Sequence, residues 1–391
     1  MRKTVEDATK PCNRIVTNYC YNIVQNYLGY LVGIDVSYVS DKDFSAVQEV
    51  LNYNDVRNAD AELLRNALIY GKAFEVNYID EEGKERFKVL DSRECVPVYS
   101  NTLNQDLLYI IRFYLVDNID LTQGWFVEVY DSEKMTKYKS NMGYSGITFI
   151  EEVPHYYQQV PITVFTLNAE QESIFDKVMS LQDAYNNLLS SEVDDFEAFC
   201  DAYLVFTNCY IEPEDAQKMK EKRTLIIEGE GAGVDFLNKS ISDTQIENML
   251  KNIDEKIHKT ANSPNFNDVS FGTSSGVALR YRLLGFENTS AGIVANMTKA
   301  LQRRLELICT ILDLTAACQE GTWRDITINF TRNLPIDYDS LTNTINQLRG
   351  IVSDKTLIAL LPFVKDADAE LAALQEDNAF LASMYKVSGN E

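Results

Sequence analysis

"TSSGVALRYRLLGFENTSAGIVANMTKALQRRLELICTIL", residues Thr273 to Leu312, is the stretch around which the rest of the chain is organised. A Ser/Gly-rich opening runs without interruption into a segment that contains no proline. Apolar residues at Val277, Leu284, Val294, Met297, Leu301, Leu305, Ile308 and Leu312 recur at helical spacing, most regularly after Asn296. Continued to Cys318, such a helix is about 65 Å long at a rise of 1.5 Å per residue, roughly twice the span of a small domain. A helix of that length works as a strut in an assembly. Gly285 and Gly292 lie inside it with Thr289 and Ser290 between them, and glycine/serine pairs are where long helices kink, so a kink is expected here.

Upstream of the helix, residues 260–275 form the least regular part of the chain, with Pro264, Gly272 and several Asn and Ser. Composition predicts an exposed loop, and a loop this long inside an otherwise periodic chain is functional or disordered. Before it stand two amphipathic helical patterns. Residues 169–199 carry Ile174, Val178, Leu181, Tyr185 and Leu188 on one face, and residues 242–259 carry Ile246, Met249, Leu250, Ile253 and Ile257. Between them Pro213, Gly229, Gly231 and Gly233 punctuate a small β-rich module with a short helix at residues 214–222. The pattern is a helical hairpin with a decorated tip.

Residues 10–168 mix both periods. Asp60 reads as the N-cap of a helix through Tyr70, stopped by Gly71. Strands are expected at residues 73–79, 85–90, 107–116, 125–130 and 162–166, which makes an α+β domain of helices and short antiparallel strands. After the long helix, residues 326–330 read as a strand and residues 340–348, 354–361 and 366–380 as short helices. No internal repeat and no low-complexity tract is visible.

The chain has 391 residues, a length that suggests two or three domains with enough apolar content for a large core. Its formal net charge is −23, which argues against a protein that grips nucleic acid, since phosphate binding requires clustered cations. The same charge does not argue against a surface that DNA slides past, and acidic surfaces commonly serve solubility alone. Seven cysteines form no CxxC pair and read as reduced thiols in a cytoplasmic setting. The first apolar run is broken by Asn18, Asn22, Gln25 and Asn26, so no signal peptide is read, and no run reaches the roughly 20 apolar residues of a membrane span. A soluble intracellular protein is expected.

Motifs with chemistry are scarce. "GEGAG" at residues 229–233 matches neither dinucleotide nor phosphate-loop spacing, and the strand expected after it is not the helix N-terminus those sites need, so it reads as a hairpin turn. The two histidines, His155 and His258, have no metal-ligand spacing, and His258 suits the C-terminal end of a helix dipole. No cofactor is implied and no enzyme is expected. The acids Glu192, Asp194, Asp195, Glu197 and Asp201 are either a solvated helix face or, repeated around a ring, an acidic collar. Lys218, Lys220, Lys222 and Arg223 form the densest basic run, either a solvated face or a docking feature at the hairpin tip.

Five blocks resemble one known family. "SSGVALRYRLLGFEN" (residues 274–288) is similar to the signature segment of the portal proteins of tailed bacteriophages, in the branch typified by phages of Gram-positive bacteria. "KPCNRIVTNYCYNIVQNYLGYLVGIDVSY" (residues 10–38) resembles that family's first block, a helix leading into a strand. "AELLRNALIYGKAFEVNYIDEEGK" (residues 61–84) resembles its helix–Gly–strand–turn segment, and "VPITVFTLNAEQESIFDKVMSLQDAYNNLLSSEVDDFEAF" (residues 160–199) the approach to a first stem helix. "IVSDKTLIALLPFVKDADAELAAL" (residues 351–374) is similar to its closing helix pair. The blocks occur in the family's order over almost the whole chain. Family members commonly carry a further charged helical segment before the first block and a longer C-terminal crown, so a truncated or minimal member is expected.

The resemblance implies a portal fold: an α/β wing, a two-helix stem, a small β-rich clip, a long kinked helix and a short helical crown. It assigns residues 1–168 to the wing, 169–200 to the first stem helix, 201–240 to the clip and 241–259 to the second stem helix. Residues 260–275 become the tunnel loop, 276–339 the long wing helix and returning strand, and 340–391 the crown. It implies a ring of about twelve copies at one capsid vertex of the virion, assembled in the host cytoplasm, through which double-stranded DNA is packaged, retained and ejected without sequence-specific contact. Expected partners are the terminase large subunit, a head-completion or adaptor protein, and the scaffold and major capsid proteins, with no membrane. Tunnel-loop residues facing the channel are expected among Asn262, Ser263, Asn265, Phe266, Asn267, Asp268, Phe271 and Gly272, and clip docking at Lys218, Lys220, Lys222 and Arg223. Two other classes are compatible with the residues: another non-enzymatic virion or scaffold-type structural protein, and a nucleic-acid-processing enzyme of unfamiliar fold.

Overall fold

The long periodic stretch is a single helix from Gly276 to Leu314, 39 residues, about 58 Å at 1.5 Å per residue. The computed structural model describes residues 11–115, 124–140, 146–200, 204–208, 230–236, 243–266, 276–319, 321–333, 338–361, 364 and 367–387. In chain order the N-terminal elements are α1 (Tyr19–Val32), β1 (Ser37–Val39), α2 (Ser45–Tyr53), α3 (Val56–Tyr70), β2 (Lys72–Ile79), β3 (Glu85–Leu90), β4 (Cys95–Tyr99), β5 (Leu107–Leu115), β6 (Trp125–Tyr130), β7 (Lys134–Ser140), β8 (Ile147–Pro154) and β9 (Ile162–Thr166). There follow α4 (Met179–Cys200), β10 (Leu204–Thr207), β11 (Gly233–Phe236), α5 (Asp243–Thr260), the long helix α6 (Gly276–Leu314) and β12 (Thr327–Asn329). The chain divides into two units, residues 1–333 and 334–391. The second holds α7 (Tyr338–Leu348), α8 (Asp354–Ala359) and α9 (Ala367–Val387), with Ser353 capping α8 and Lys355 paired to Asp368 at 2.7 Å.

The C-terminal half of α6 is the spine of the first unit. Met297, Leu301, Leu305 and Ile308 are fully buried, following the spacing read from the sequence, and Leu305, Ile308 and Cys309 share a core with Val47 and Leu51 of α2, Phe87 of β3 and Ile326. A second face is also covered, since Leu307 and Ile311 pack on Tyr157. In the N-terminal half the buried stripe is Leu283, Phe286, Ser290 and Ile293, and the expected Leu284 is 53% exposed. The apolar run LL at residues 283–284 offers the helix two registers of stripe, and packing against Tyr27 and Tyr30 of α1 selects the one that buries Phe286.

Two antiparallel sheets of three and five strands are formed, and the first lies against the spine. In the first, β2 lies between β3 and β9, with α3 and α6 packed on it. The second is a meander, β4 through β8 in sequence order. This is the α+β class expected from the composition of periods. Strands β4, β7 and β8 were not expected. The reason is clearest for β8, whose eight residues are all exposed, so neither face carries the apolar alternation that marks a half-buried strand. A short pair, β1 with β12, ties the N-terminal segment to the chain leaving α6.

Asp60 is not an N-cap. Helix α3 begins at Val56, and Asp60, only 2% exposed, lies inside it. Its partner is Arg304 of α6, which is fully buried and also holds Glu75 of β2 through Nε and Nη2, both at 2.6 Å. Tyr38 donates to Asp60 at 2.9 Å, and the guanidinium lies 4.6 Å from the Phe87 ring centroid. One cation therefore joins helix, helix and sheet. Burial pushes both carboxyls upward in pKa, and the Arg304 charge pulls them back. Gly71 does end α3, at φ 77°, and a Cβ there would lie 2.1 Å from the Gln171 carbonyl oxygen, so both the turn and the close approach require glycine.

Candidate functional site

The two amphipathic patterns fold as the helices α4 and α5, packed on each other. Helix α4 starts later than its periodicity suggested, at Met179. The preceding residues instead turn beneath α3, where Gln171 takes φ 59° and residues Asp176–Val178 form one 3-10 turn. At the tip, β10 pairs antiparallel with β11 from Leu204↔Phe236 to Thr207↔Gly233. The strand expected after the glycine-rich stretch is there, and Gly231 enters it at φ 76°. The short tip helix and the basic residues Lys218, Lys220, Lys222 and Arg223 lie outside the described residues.

The 260–275 loop leaves the end of α5 through a tightly held root. Ser263 is 1% exposed; its N–H donates to the His258 carbonyl at 3.1 Å, and its own carbonyl accepts from His258 Nδ1 at 3.0 Å. Helix α1 grips the same root from one side. Asn26 Nδ2 donates to Ser263 Oγ at 3.0 Å, and the Tyr27 hydroxyl reaches the carbonyls of Ala261 and Asn262 at 3.1 and 3.3 Å. Burial pushes the Tyr27 hydroxyl up in pKa, so it remains a donor. From the other side α6 presents Thr289, whose Oγ1 accepts from Asn262 Nδ2 at 3.3 Å. Gly285 stands opposite: an added Cβ would lie 3.0 Å from Asn262 Oδ1. Asn262 itself takes φ 50°, a conformation asparagine tolerates better than most residues.

Beside this root a pocket of about 480 Å³ opens between the N-terminal half of α1 and the end of α5, lined among others by Asn18, Tyr19, Asn22, Asp254, His258 and Phe266. Tyr19 donates to Asp254 Oδ1 at 2.7 Å and lies edge-on to Tyr185 of α4 with centroids 5.2 Å apart. Burial, and then the bond to Asp254, drive the Tyr19 hydroxyl upward in pKa. The pocket wall is hydrogen-bonded, with Asp254 as its one carboxylate and His258 Nε2 at 3.7 Å from it. Among the described residues no group of three or more His, Cys, Asp or Glu is placed to hold a metal.

The loop residues singled out from sequence thus separate into two sets. Asn262 and Ser263 belong to the anchorage, turned inward to α6 and α1. Phe266 is 46% exposed and lies edge-on to Phe286 at 6.5 Å, with Asn265 next to it on the pocket rim. Asn267, Asp268, Phe271 and Gly272 lie outside the described residues. Of the acids on α4, Asp194 and Glu197 accept bonds from Asn13 at 2.6 to 2.9 Å, so they are not simply a solvated face. Sequence reading missed Tyr19, Asn26, Tyr27 and Thr289. An Asn-rich first helix was the only available signal, and it marked polarity without naming a partner.

The family described as "Phage portal protein, SPP1 Gp6-like" matches residues 1–380. The portal protein of Bacillus phage SPP1 is 25% identical over 404 residues, covering 97% of this chain and 78% of that one. The portal protein of Clostridium phage phiCD119 is 23% identical over 394 residues, covering 93% and 85%. Among solved structures, a chain of the neck of an empty GTA particle (computed with C6 symmetry) is 12% identical, with a TM-score of 0.48 and 88% of each chain covered; at that level the likeness carries no inference. With a family match along nearly its whole length, this chain belongs to the phage portal proteins of the SPP1 Gp6-like family.

Proposed function

We propose that the chain is the portal subunit of a virion: a ring of about twelve copies at one capsid vertex, through which double-stranded DNA is packaged, retained and released. The single observation that carries this reading is the family match from residue 1 to residue 380. Portal proteins are structural components, and a mechanical role is the one proposed here. In this reading residues 1–168 with α6 are the wing, α4 and α5 the stem, residues 201–240 the clip, residues 260–275 the tunnel loop and residues 340–391 the crown. Ring closure joins two different faces of the subunit head to tail, so apolar surface left open in one copy is covered by the next. Phe196 of α4 and Met249 of α5, 65% and 56% exposed, are suited to that use.

A channel for moving DNA must avoid adhesion. The net charge of −23 supplies repulsion, and a loop held firmly at its root but rich in Asn, Ser and Gly beyond it can follow a duplex through short-lived, sequence-independent contacts. The terminase large subunit and, later, a head-completion or adaptor protein dock at the clip, where Lys218, Lys220, Lys222 and Arg223 add a basic spot to an acidic body. Scaffold and major capsid proteins contact the wing and crown. The test is an electron-microscopic image of the purified protein followed by a packaging assay with residues 264–268 deleted, which leaves the anchorage at Ser263 intact. Rings with a central hole, and deleted rings that assemble but lose packaging or retention of DNA, are expected. A solid particle, or wild-type packaging by the deleted ring, refutes the reading.

A further inference from the structure

Residues 11–18 form neither helix nor strand, yet they are held along α4 by a regular pattern of bonds. The N–H of Asn13 donates to Asp194 Oδ1 at 2.6 Å, that of Ile15 to Ser190 Oγ at 3.0 Å, that of Thr17 to Asn186 Oδ1 at 2.9 Å and that of Cys20 to Gln182 Oε1 at 3.1 Å. In return Gln182 Nε2 donates to the Thr17 carbonyl at 2.8 Å. The acceptors stand four residues apart on one stripe of α4, a spacing of about 6 Å along the axis. Alternate residues of an extended chain are about 6.6 Å apart, so rung and backbone match over the two steps from Asn13 to Ile15 to Thr17, and the remaining rung is taken by Cys20 in the first turn of α1. The stripe acts as the edge of a β-strand built from side chains. Gln182 and Ser190 are its buried members, at 9% and 4% exposure.

The segment continues directly into α1, which Asn18 caps by accepting from the Tyr21 N–H. Fifteen consecutive residues, 13 to 27, therefore touch first the ladder on α4, then Asp254 of α5 through Tyr19, then the loop root through Asn26 and Tyr27. We propose that residues 13–18 are a releasable clasp: seated on the α4 ladder they fix α1 against both hairpin helices, and through α1 they set the order of the loop root at residues 261–263. The grip is made by main-chain polar bonds, and Val16 is 62% exposed, so little apolar burial resists opening. Segments of that kind open locally without global unfolding. The polar ladder is the reason that the clasp has one seat: sliding by one residue would point carbonyls, not N–H groups, at the acceptors.

The test is hydrogen–deuterium exchange followed by mass spectrometry on the full chain as purified, with Asn186→Ala and Tyr19→Phe as variants. Neither variant changes charge, and each deletes a contact without adding volume. In the wild type, peptides covering residues 11–20 are expected to be protected although residues 11–18 form neither helix nor strand. In Asn186→Ala their exchange accelerates about tenfold, the loss of one to two net hydrogen bonds, and peptides covering residues 257–266 accelerate with them, while those of β2 do not. Tyr19→Phe is expected to loosen residues 257–266 with residues 11–17 still protected. Free exchange of residues 11–20 in the wild type overturns the clasp. Acceleration at residues 11–20 in Asn186→Ala with residues 257–266 unmoved overturns the coupling. Exchange is read without DNA, so its outcome is separate from that of the packaging assay.

Discussion

Replacing Arg304 by methionine tests the argument that one buried cation holds the first unit together. The side chain is fully buried, as is Glu75, and Asp60 is 2% exposed, so removing the guanidinium strands two carboxyl groups in the interior. Methionine fills most of the volume, which keeps the cavity contribution small and isolates electrostatics. Breaking a buried pair by deleting one partner costs about 3–5 kcal/mol. A domain has only about 5–15 kcal/mol in all, so the variant is expected to sit near its folding threshold. The cost is larger at pH 8 than at pH 5: without Arg304 both carboxyls are raised further, the folded state holds protons the unfolded state has released, and stability falls as pH rises. Urea titration followed by tryptophan fluorescence reads this directly, because Trp323 packs against the core that contains Leu305 and Ile308. The rescue is as informative as the damage. Adding Asp60→Asn and Glu75→Gln to Arg304→Met removes the stranded charges and is expected to restore about half of the loss or more. A loss under about 1 kcal/mol, or a triple variant no more stable than the single one, refutes the keystone.

Two further predictions follow from the same geometry. Glu85 is buried with the Tyr157 hydroxyl donating at 2.8 Å to each carboxylate oxygen and, among the described residues, no cation bonded to it; burial, opposed by donation from Asn77 and Tyr157, pushes its carboxyl from 4.5 up to about 8. The folded state thus holds a proton the unfolded state loses, so its contribution is fully present below about pH 4.5 and drains away up to about pH 8, by at most about 4–5 kcal/mol at 1.36 per pH unit. Glu85→Gln is expected to flatten the melting temperature across pH 5 to 8, and an unchanged slope would count against the buried acid. On the hairpin, Phe196→Asp and Met249→Asp alter side chains exposed within one copy, so melting of the isolated chain should stay within about 0.5 kcal/mol while ring formation fails. Intact rings from both variants would remove those residues from the interface.

Periodicity carried most of what was legible. Met297, Leu301, Leu305 and Ile308 could be placed in the core from spacing alone, because a helix buried along a stripe must repeat its apolar residues every three to four positions. Gly71 was readable as a helix stop because its φ of 77° leaves few alternatives to glycine. Asp60 shows the limit. A polar residue before an apolar helical run looks like an N-cap, and nothing local reveals that its partner is an arginine 244 positions away. Gly285 shows the same limit from the other side. The sequence signals a kink where Gly285 stands near Thr289 and Ser290, and does not signal that its missing Cβ makes room for Asn262 of the loop root, which also donates to Thr289.

The ladder on α4 is the case in which pattern reading pointed away from the answer. Gln182, Asn186, Ser190 and Asp194 recur every four residues as faithfully as any apolar stripe, yet polar residues at helical spacing are assigned to solvent by the rule that finds cores. The rule fails here because the partner is a backbone. An extended segment brings unpaired N–H groups that must be satisfied if it is to lie against protein, and an apolar stripe could not receive it. A helix that binds an unpaired strand must therefore look, in sequence, like a helix that binds nothing. The apolar residues of α4, by contrast, remain only partly covered within one chain: Leu181, Tyr185 and Leu188 are half-buried and Phe196 is exposed. Within a single copy the inward stripe is polar and the apolar surface is left open, which is the distribution expected of a helix whose apolar partner is another copy of the same chain.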